Sequence, residues 1–287
     1  MRALSLLIAL GVANAAPAVS QTRAAADAGP ASAAAAPVLP GYADLADLAF
    51  RAPVAAVVTV VDAIRLKKEQ AVGVAPGQFR FYVTATVDSL IKGSGGLTGQ
   101  VSYLVDLDAD AKARPPKPKG MRFLLLADRV PGRDAELRLV APEGHMVWSA
   151  PLEQKLRDIL TAAAAADAPP IITGVRNAFH VPGALPGESE TQIFLDTADK
   201  RPISLNVLRR PGEAPRWAVA LGEIVDESAK PPAPDTLLWY RLACALPPSL
   251  PAQSTANLSG GDVDAARADY ALVLKGLGPC GRTARGN

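Results

Sequence analysis

His180 is the side chain whose type and surroundings best suit chemistry, because the chain has only two histidines and this one follows a β-like run. Glu188 and Glu190 come soon after it, beyond two Pro-Gly pairs. A histidine near carboxylates is the smallest set that supports general acid–base catalysis or a weak metal site. The alternative is a rigid structural loop in which His180 caps a carbonyl group. The lack of a nucleophile or third ligand nearby in the sequence favours that alternative.

Three aspartates, Asp106, Asp108 and Asp110, alternate at the end of a predicted strand. Clustered carboxylates suit hard cations, and the calcium loop of EF-type proteins begins with this spacing. That loop also needs glycine at its sixth position and glutamate at its twelfth, where this chain has Ala111 and Lys117. The pattern therefore favours a solvated acidic turn over a calcium site.

The two cysteines, Cys244 and Cys280, are the whole cysteine content of the chain. An even count in an exported protein favours one disulfide. It would close a loop of about 36 residues, which the chain-entropy model values at about 3–4 kcal/mol. A nucleophilic cysteine or a metal site would need a nearby histidine, a third ligand or a CxxC spacing, and none is adjacent in the sequence.

Common catalytic motifs such as HExxH, GxSxG, the Walker loop and GxGxxG are absent from the sequence. The Gly-rich run from Gly93 to Gly99 lacks the order of a phosphate loop and is predicted to be a turn. The absence of these motifs lowers the expectation of an enzyme without excluding one. No cofactor is predicted.

The N-terminus has the pattern of a secretory signal peptide, residues 1–15, in which Arg2 precedes an apolar run. Cleavage is predicted after Ala15 or, alternatively, after Ser20; the competing interpretation of the segment is a core helix. Residues 16–41 are rich in alanine and proline and are predicted to be a disordered tether. No later apolar run approaches the roughly 20 residues of a membrane span, so no integral membrane segment is expected after signal removal. A periplasmic or secreted location follows.

Charge constrains the expected partners. The formal net charge is +2 over 287 residues, and Arg2 contributes one of the positive charges. Such a balance produces no strong field toward nucleic acid or anionic membranes, so no nucleic-acid partner is expected. The predicted partner is an envelope protein or polymer.

The first folded part contains five short β-like runs with long connections, which predicts a small barrel or sandwich. The runs FYVTATVDSLIKG, QVSYLVDL and KGMRFLLLA resemble the OB-like barrel of netrin/TIMP-type modules in secreted proteins. The resemblance covers about residues 49–140 and implies that fold. The animal inhibitors of that family use an N-terminal cysteine on a target metal; this segment has no cysteine, so that activity is not implied. The whole chain also resembles uncharacterised exported bacterial proteins. The predicted strands are 54–64, 79–90, 100–107, 121–127 and 136–140.

A second folded part is predicted after a helix over 151–166 and the breaker Asp167-Ala168-Pro169-Pro170. Its four β-like runs predict an antiparallel meander with one apolar face, which two C-terminal helices would cover. The predicted fold class is therefore mainly β with α: an OB-like barrel with a C-terminal helix over 42–168, then an α+β unit over 169–287. The predicted strands of this unit are 171–179, 191–197, 202–209 and 216–225, and its helices are 236–245 and 263–277.

Three functional hypotheses follow from these patterns. The leading one is an exported, non-catalytic binding or structural protein of the cell envelope. The main alternative is a hydrolase or metal-dependent enzyme that uses His180 with Glu188 or Glu190. A third is a small-ligand carrier with a cleft between the two predicted domains.

Overall fold

The computed structural model describes residues 40–222 and 229–283, and within these ranges the chain forms ten β-strands and four α-helices. The predicted signal peptide, both cleavage positions and the predicted tether up to residue 39 lie outside the described residues. The helices are α1 Tyr42–Arg51, α2 Ala150–Ala164, α3 Leu237–Ala243 and α4 Gly260–Leu277. The strands are β1 Val54–Arg65, β2 Gln78–Lys92, β3 Gln100–Asp108, β4 Arg122–Val130, β5 Arg133–Leu139, β6 His145–Val147, β7 Ile172–Pro182, β8 Ser189–Thr197, β9 Ser204–Arg209 and β10 Arg216–Ala220.

The first five strands close into a barrel in the order β1-β2-β3-β5-β4, and β4 returns to pair with β1. Every neighbouring pair in this ring is antiparallel except β3 and β5, which run parallel. The short strand β6 pairs with β4. This closed five-stranded barrel is compatible with the predicted OB-like barrel.

Two barrel strands, β1 and β4, are apolar on both faces because both faces are buried. Val58 and Leu125 belong to the barrel interior. Val57 and Leu124, their neighbours in the chain, belong to a second cluster that includes α1 and α2. Successive side chains of a strand point to opposite faces, so continuous apolar runs are expected for strands covered on both sides.

Ser149 caps α2, because its side chain accepts a hydrogen bond from the Leu152 N–H at 3.3 Å.

The second sheet has the strand order β10-β9-β8-β7 and is antiparallel throughout. Its inner face buries Ile193, Leu205 and Val219. Helix α4 covers this face with Tyr270 and Val273, which are also buried. The predicted fold class is confirmed: the chain is mainly β, with a five-stranded barrel and helix followed by a four-stranded antiparallel sheet with helices.

One hydrophobic cluster joins the outer side of the barrel to the second sheet, because it contains Leu124 and Leu156 together with Ile193 and Tyr270. All described residues belong to one compact unit. The predicted domain division after residue 168 lies between α2 and β7, and it stays a prediction. Among the described residues, no helix has the length and apolar content to cross a bilayer.

The structure differs from the sequence expectation most at β7. This strand runs to Pro182, whereas the prediction ended it at Phe179 and placed His180 in a loop. Proline has no backbone N–H, and an edge strand tolerates it at its end because that position need not donate to a neighbouring strand. The short β6 was not predicted, and β10 ends at Ala220. The predicted continuation of β10 to residue 225 lies partly outside the described residues.

Candidate functional site

His180 lies on the face of the second sheet that is turned toward α4. Its Nδ1 is 2.8 Å from the hydroxyl oxygen of Thr191, which is directly opposite it on β8. The Thr191 hydroxyl donates to Asp269 at 2.5 Å, so it accepts its other hydrogen bond from His180 Nδ1. Nδ1 therefore carries a proton. Nε2 has no hydrogen-bond partner among residues 40–222 and 229–283.

Asp269 of α4 anchors this chain of hydrogen bonds. Its side chain is fully buried, and Arg209 of β9 donates to it from Nε at 2.7 Å. Arg209 itself is 35% exposed. A buried carboxylate is stable only when such partners replace its lost hydration. These four residues, which we call the His180 network, join three strands to α4 and fix the orientation of the imidazole ring.

The two glutamates predicted to act with His180 are placed elsewhere. Glu190 is opposite Val181, on the outer face of the sheet, whereas His180 and Thr191 share the inner face. Glu188 accepts the backbone N–H of Leu185 at 3.3 Å and so closes the β7–β8 turn. Among the described residues, neither glutamate forms a hydrogen bond or ion pair with His180; the carboxylate joined to it through Thr191 is Asp269.

The three predicted metal-binding aspartates are each engaged by other side chains. Asp106 forms a bidentate ion pair with Arg80, with both N···O distances 2.7 Å. Asp108 accepts a hydrogen bond from a β2 glutamine side chain at 3.0 Å. Asp110 accepts hydrogen bonds from Arg114, which lower the pKa of this carboxyl group. Within the described ranges, no group of three histidine, cysteine or acidic residues is arranged to hold a metal ion.

A further spacing known from catalytic sites, S-x-x-K, occurs at Ser89 and Lys92. Both residues lie on β2, a strand. Ser89 accepts a hydrogen bond from Arg157 at 3.0 Å, and Lys92 donates to the Ala49 carbonyl at 2.8 Å. Burial lowers the pKa of Lys92. No hydrogen bond joins Ser89 to Lys92 in the described part of the chain.

The predicted disulfide between Cys244 and Cys280 is confirmed, with an S–S distance of 2.07 Å. It is followed by a short C-terminal segment that binds back to α1. Together the disulfide and these contacts form what we call the C-terminal clasp. Its polar contacts include Arg282 Nε to Asp47 Oδ2 at 2.6 Å and the Thr283 N–H to Asp44 Oδ1 at 2.9 Å.

His145 of β6 packs into the barrel region instead of facing solvent. Its ring stacks on Phe123 with a centroid distance of 4.0 Å, and its Nε2 is 3.3 Å from the Tyr103 hydroxyl. Burial lowers the pKa of His145 to about 4. The folded protein therefore holds this imidazole neutral.

The free energy of unfolding should fall by about 2 kcal/mol between pH 7 and pH 5 on account of His145. The unfolded chain binds a proton there near the ordinary pKa of 6.5, whereas the folded chain resists protonation until about pH 4. Acid therefore favours the unfolded state across this window. Urea unfolding of wild type and His145→Gln at both pH values measures the difference, and His180→Gln is the matched control. A His145→Gln variant with an undiminished pH dependence would contradict the assignment.

A cleft of about 770 Å³ opens on the barrel where β3 and β5 separate. The two strands pair only at Ser102–Glu136 and Tyr103–Leu137. Beyond these positions the cleft is bounded by the outer faces of β2 and β3 and by the end of β5. Its apolar lining includes Leu104, which is 49% exposed.

Charged side chains border this barrel cleft in ion pairs. Arg133 and Arg138 of β5 are the most exposed of them, at 66% and 74%. The acidic partner of Arg133, Glu136, is 34% exposed, so the guanidinium groups dominate the accessible rim. Exposed ion pairs contribute only about 0–1 kcal/mol, so a carboxylate on a ligand can compete for these arginines.

Sequence reasoning missed two features that the structure assembles. Asp269 follows Ala266 by three residues and precedes Val273 by four, so a charge on the apolar stripe of α4 was the available signal. Leu104 is an apolar residue on the otherwise polar face of β3, and it marks the cleft. The cleft itself depends on the parallel pairing of β3 with β5, which no local sequence pattern indicates.

No family model matches the sequence, and no curated protein is significantly similar to it.

Proposed function

We propose that the protein is a non-catalytic binding protein of the cell envelope and that it binds its partner in the barrel cleft. The observation that carries this proposal is the convergence, in one concave site, of an open strand edge, apolar side chains such as Leu104 and exposed guanidinium groups. Ligand sites are concave, with an apolar lining and a few polar groups that fix orientation.

Export is part of the same proposal. Its support is the signal-peptide pattern of residues 1–15 and the Cys244–Cys280 disulfide, since disulfides persist in oxidising compartments. We propose a periplasmic or secreted location and an envelope protein or polymer as the partner. A net charge of +2 supports no role in nucleic-acid binding.

A hydrolase or metal-dependent enzyme that uses His180 is the second candidate. The observation that favours it is the His180 network, in which Nδ1 donates to Thr191 and Nε2 has no partner in the described residues. In its neutral form such an imidazole offers Nε2 as a proton acceptor. A general base needs this arrangement and also a substrate proton within reach. In this candidate the acidic partner of His180 is Asp269, and not Glu188 or Glu190 as predicted from the sequence. A small-ligand carrier remains the third hypothesis.

Two variants separate the binding and enzyme proposals. Leu104→Glu places a charge in the barrel cleft at a half-exposed position, so the fold should tolerate it. We expect it to reduce cross-linked capture of partners from an envelope extract at least fivefold, whereas His180→Ala should leave capture unchanged. Val147→Glu, at a similarly exposed apolar position on β6, is the matched control. Loss of a turnover activity in His180→Ala, with unchanged capture by Leu104→Glu, would reverse the order of the two proposals.

A further inference from the structure

The edge of β3 that faces the barrel cleft is an open strand edge. Within residues 40–222 and 229–283, its pairing on this side is limited to Ser102 and Tyr103. The following residues, Leu104–Asp108, continue the strand and pair with β2 on the opposite side. At about 3.3 Å per residue they present about 16 Å of edge.

The backbone groups on this edge can be assigned by the alternation of the β2–β3 ladder. The Ala109 N–H donates to the Gly77 carbonyl at 2.8 Å, in register with the rest of the pair. Hydrogen-bonded and non-hydrogen-bonded pairs alternate along an antiparallel ladder. Odd-numbered residues of β3 therefore direct their backbone groups toward β2. Asp106 and Asp108 direct their N–H and C=O groups toward the cleft.

This edge has only part of the usual protection against strand pairing. Natural edge strands are blunted by proline, charged side chains, bulges or a covering segment, and of these devices this edge has the charges of Asp106 and Asp108. The sequence of Leu104–Asp108 is LVDLD, and its register with β2 is unbroken. The charge of Asp106 is neutralised by Arg80 on the adjacent strand. The edge is thus short, in unbroken register with β2 and bordered by the cleft.

We propose that the ligand of the barrel cleft is an extended peptide segment of a partner protein, which adds a strand to the β3 edge at Leu104–Asp108. This inference rests on the proposed binding function and names its ligand class. Main-chain hydrogen bonds to Asp106 and Asp108 supply affinity in strand addition, and pockets for alternate side chains supply specificity.

The lining of the cleft defines the chemistry of that peptide. Leu104, Leu137 and Leu139 favour apolar side chains on the strand. Arg133 and Arg138 on the facing rim favour an acidic residue, because their guanidinium groups are more exposed than their intramolecular carboxylate partners. The expected ligand is therefore an extended apolar segment with at least one aspartate or glutamate.

The probe for this proposal is a seven-residue linear peptide selected against the oxidised full chain from a random display library, with Leu104→Glu as the counter-selection target. Residue-resolved amide hydrogen exchange is then measured with and without the peptide. Exchange of the Asp106 and Asp108 amides should slow at least tenfold. The Val105 and Leu107 amides, which already face β2, should change little.

Backbone methylation of the selected peptide tests the hydrogen-bond pattern independently of side chains. N-methylation at alternate residues in one register should weaken binding at least tenfold, because those N–H groups face β3. N-methylation in the other register should change binding less than threefold. Arg138→Glu should weaken binding of acidic peptides, and Arg267→Glu on α4, also exposed, is its control.

Several outcomes would overturn strand addition. They are selected peptides that leave the Asp106 and Asp108 amides unprotected, peptides insensitive to N-methylation in both registers, and a selection that yields no Leu104-dependent peptide. Concentration-dependent dimerisation that protects the same amides would identify a second copy of the chain as the occupant instead. If partner capture depends on Leu104 while these amides stay unprotected, the proposed function survives and the strand-addition inference fails. If capture does not depend on Leu104, the proposed function fails first.

Discussion

Replacing Asp269 by alanine should lower the free energy of unfolding by about 3 kcal/mol, because it removes one partner of a buried ion pair. The substitution leaves the Arg209 guanidinium and the buried Thr191 hydroxyl without their acceptor. The effect should lie at the lower end of the range for buried pairs, since Arg209 is 35% exposed and water can reach it. Urea unfolding at pH 7 measures the change.

The same helix provides the control for this substitution. Asp264 is 84% exposed, and its only ion pair in the described region is a 3.7 Å contact with Arg267. Asp264→Ala should change the free energy of unfolding by less than about 0.5 kcal/mol. Thr191→Val combined with Asp269→Ala should cost less than the sum of the two single changes, because both act on one network. An Asp269→Ala variant as stable as Asp264→Ala would show that the His180 network contributes nothing to holding α4.

Removing the disulfide should cost about 3–4 kcal/mol, because the unfolded chain regains the freedom of a loop of some 36 residues. The variant is Cys244→Ser with Cys280→Ser, which leaves no unpaired thiol. Denaturant unfolding under oxidising conditions measures the loss. The wild-type protein in reducing agent serves as the matched control, since it should fall to the stability of the double variant.

Mass measurement under non-reducing conditions provides a separate check on the disulfide. A mass lower than that of the fully reduced chain by two hydrogen atoms is expected. Two free thiols in the purified protein would contradict the bond, and equal stability with and without reducing agent would contradict its energetic role. The polar contacts of the C-terminal clasp are weaker individually, so their loss alone should not reproduce the effect of the disulfide.

Elements with strong local patterns were the part of the fold that the sequence allowed us to predict. The strands of the barrel alternate or are continuously apolar, and α2 has one apolar stripe, so their positions follow from periodicity. The disulfide followed from the even cysteine count in a chain expected to be exported. These features depend on residues close in sequence or on composition, which is why they could be read without coordinates.

The candidate sites depend on contacts between distant residues, and they could not be predicted in the same way. His180 is connected to Asp269 through Thr191. Thr191 lies on β8 and Asp269 on α4, and these two residues are 78 positions apart in the sequence. Glu188 and Glu190 were chosen because they are near His180 in sequence, but strand alternation places Glu190 on the opposite face. The barrel cleft exists because two strands part after a short parallel contact. The local sequence of β3 or of β5 does not indicate how far the two strands pair.

The C-terminal clasp has a mechanical consequence. Gly41, beside the first turn of α1, lies against the carbonyl of Gly281, so the described fold starts and finishes at one place on its surface. A force applied between the segments that flank residues 40 and 283 is therefore borne first by the Asp47–Arg282 and Asp44–Thr283 contacts. The ladders of the barrel and the second sheet are not in the direct line of load. The ends can yield while the barrel cleft keeps its shape.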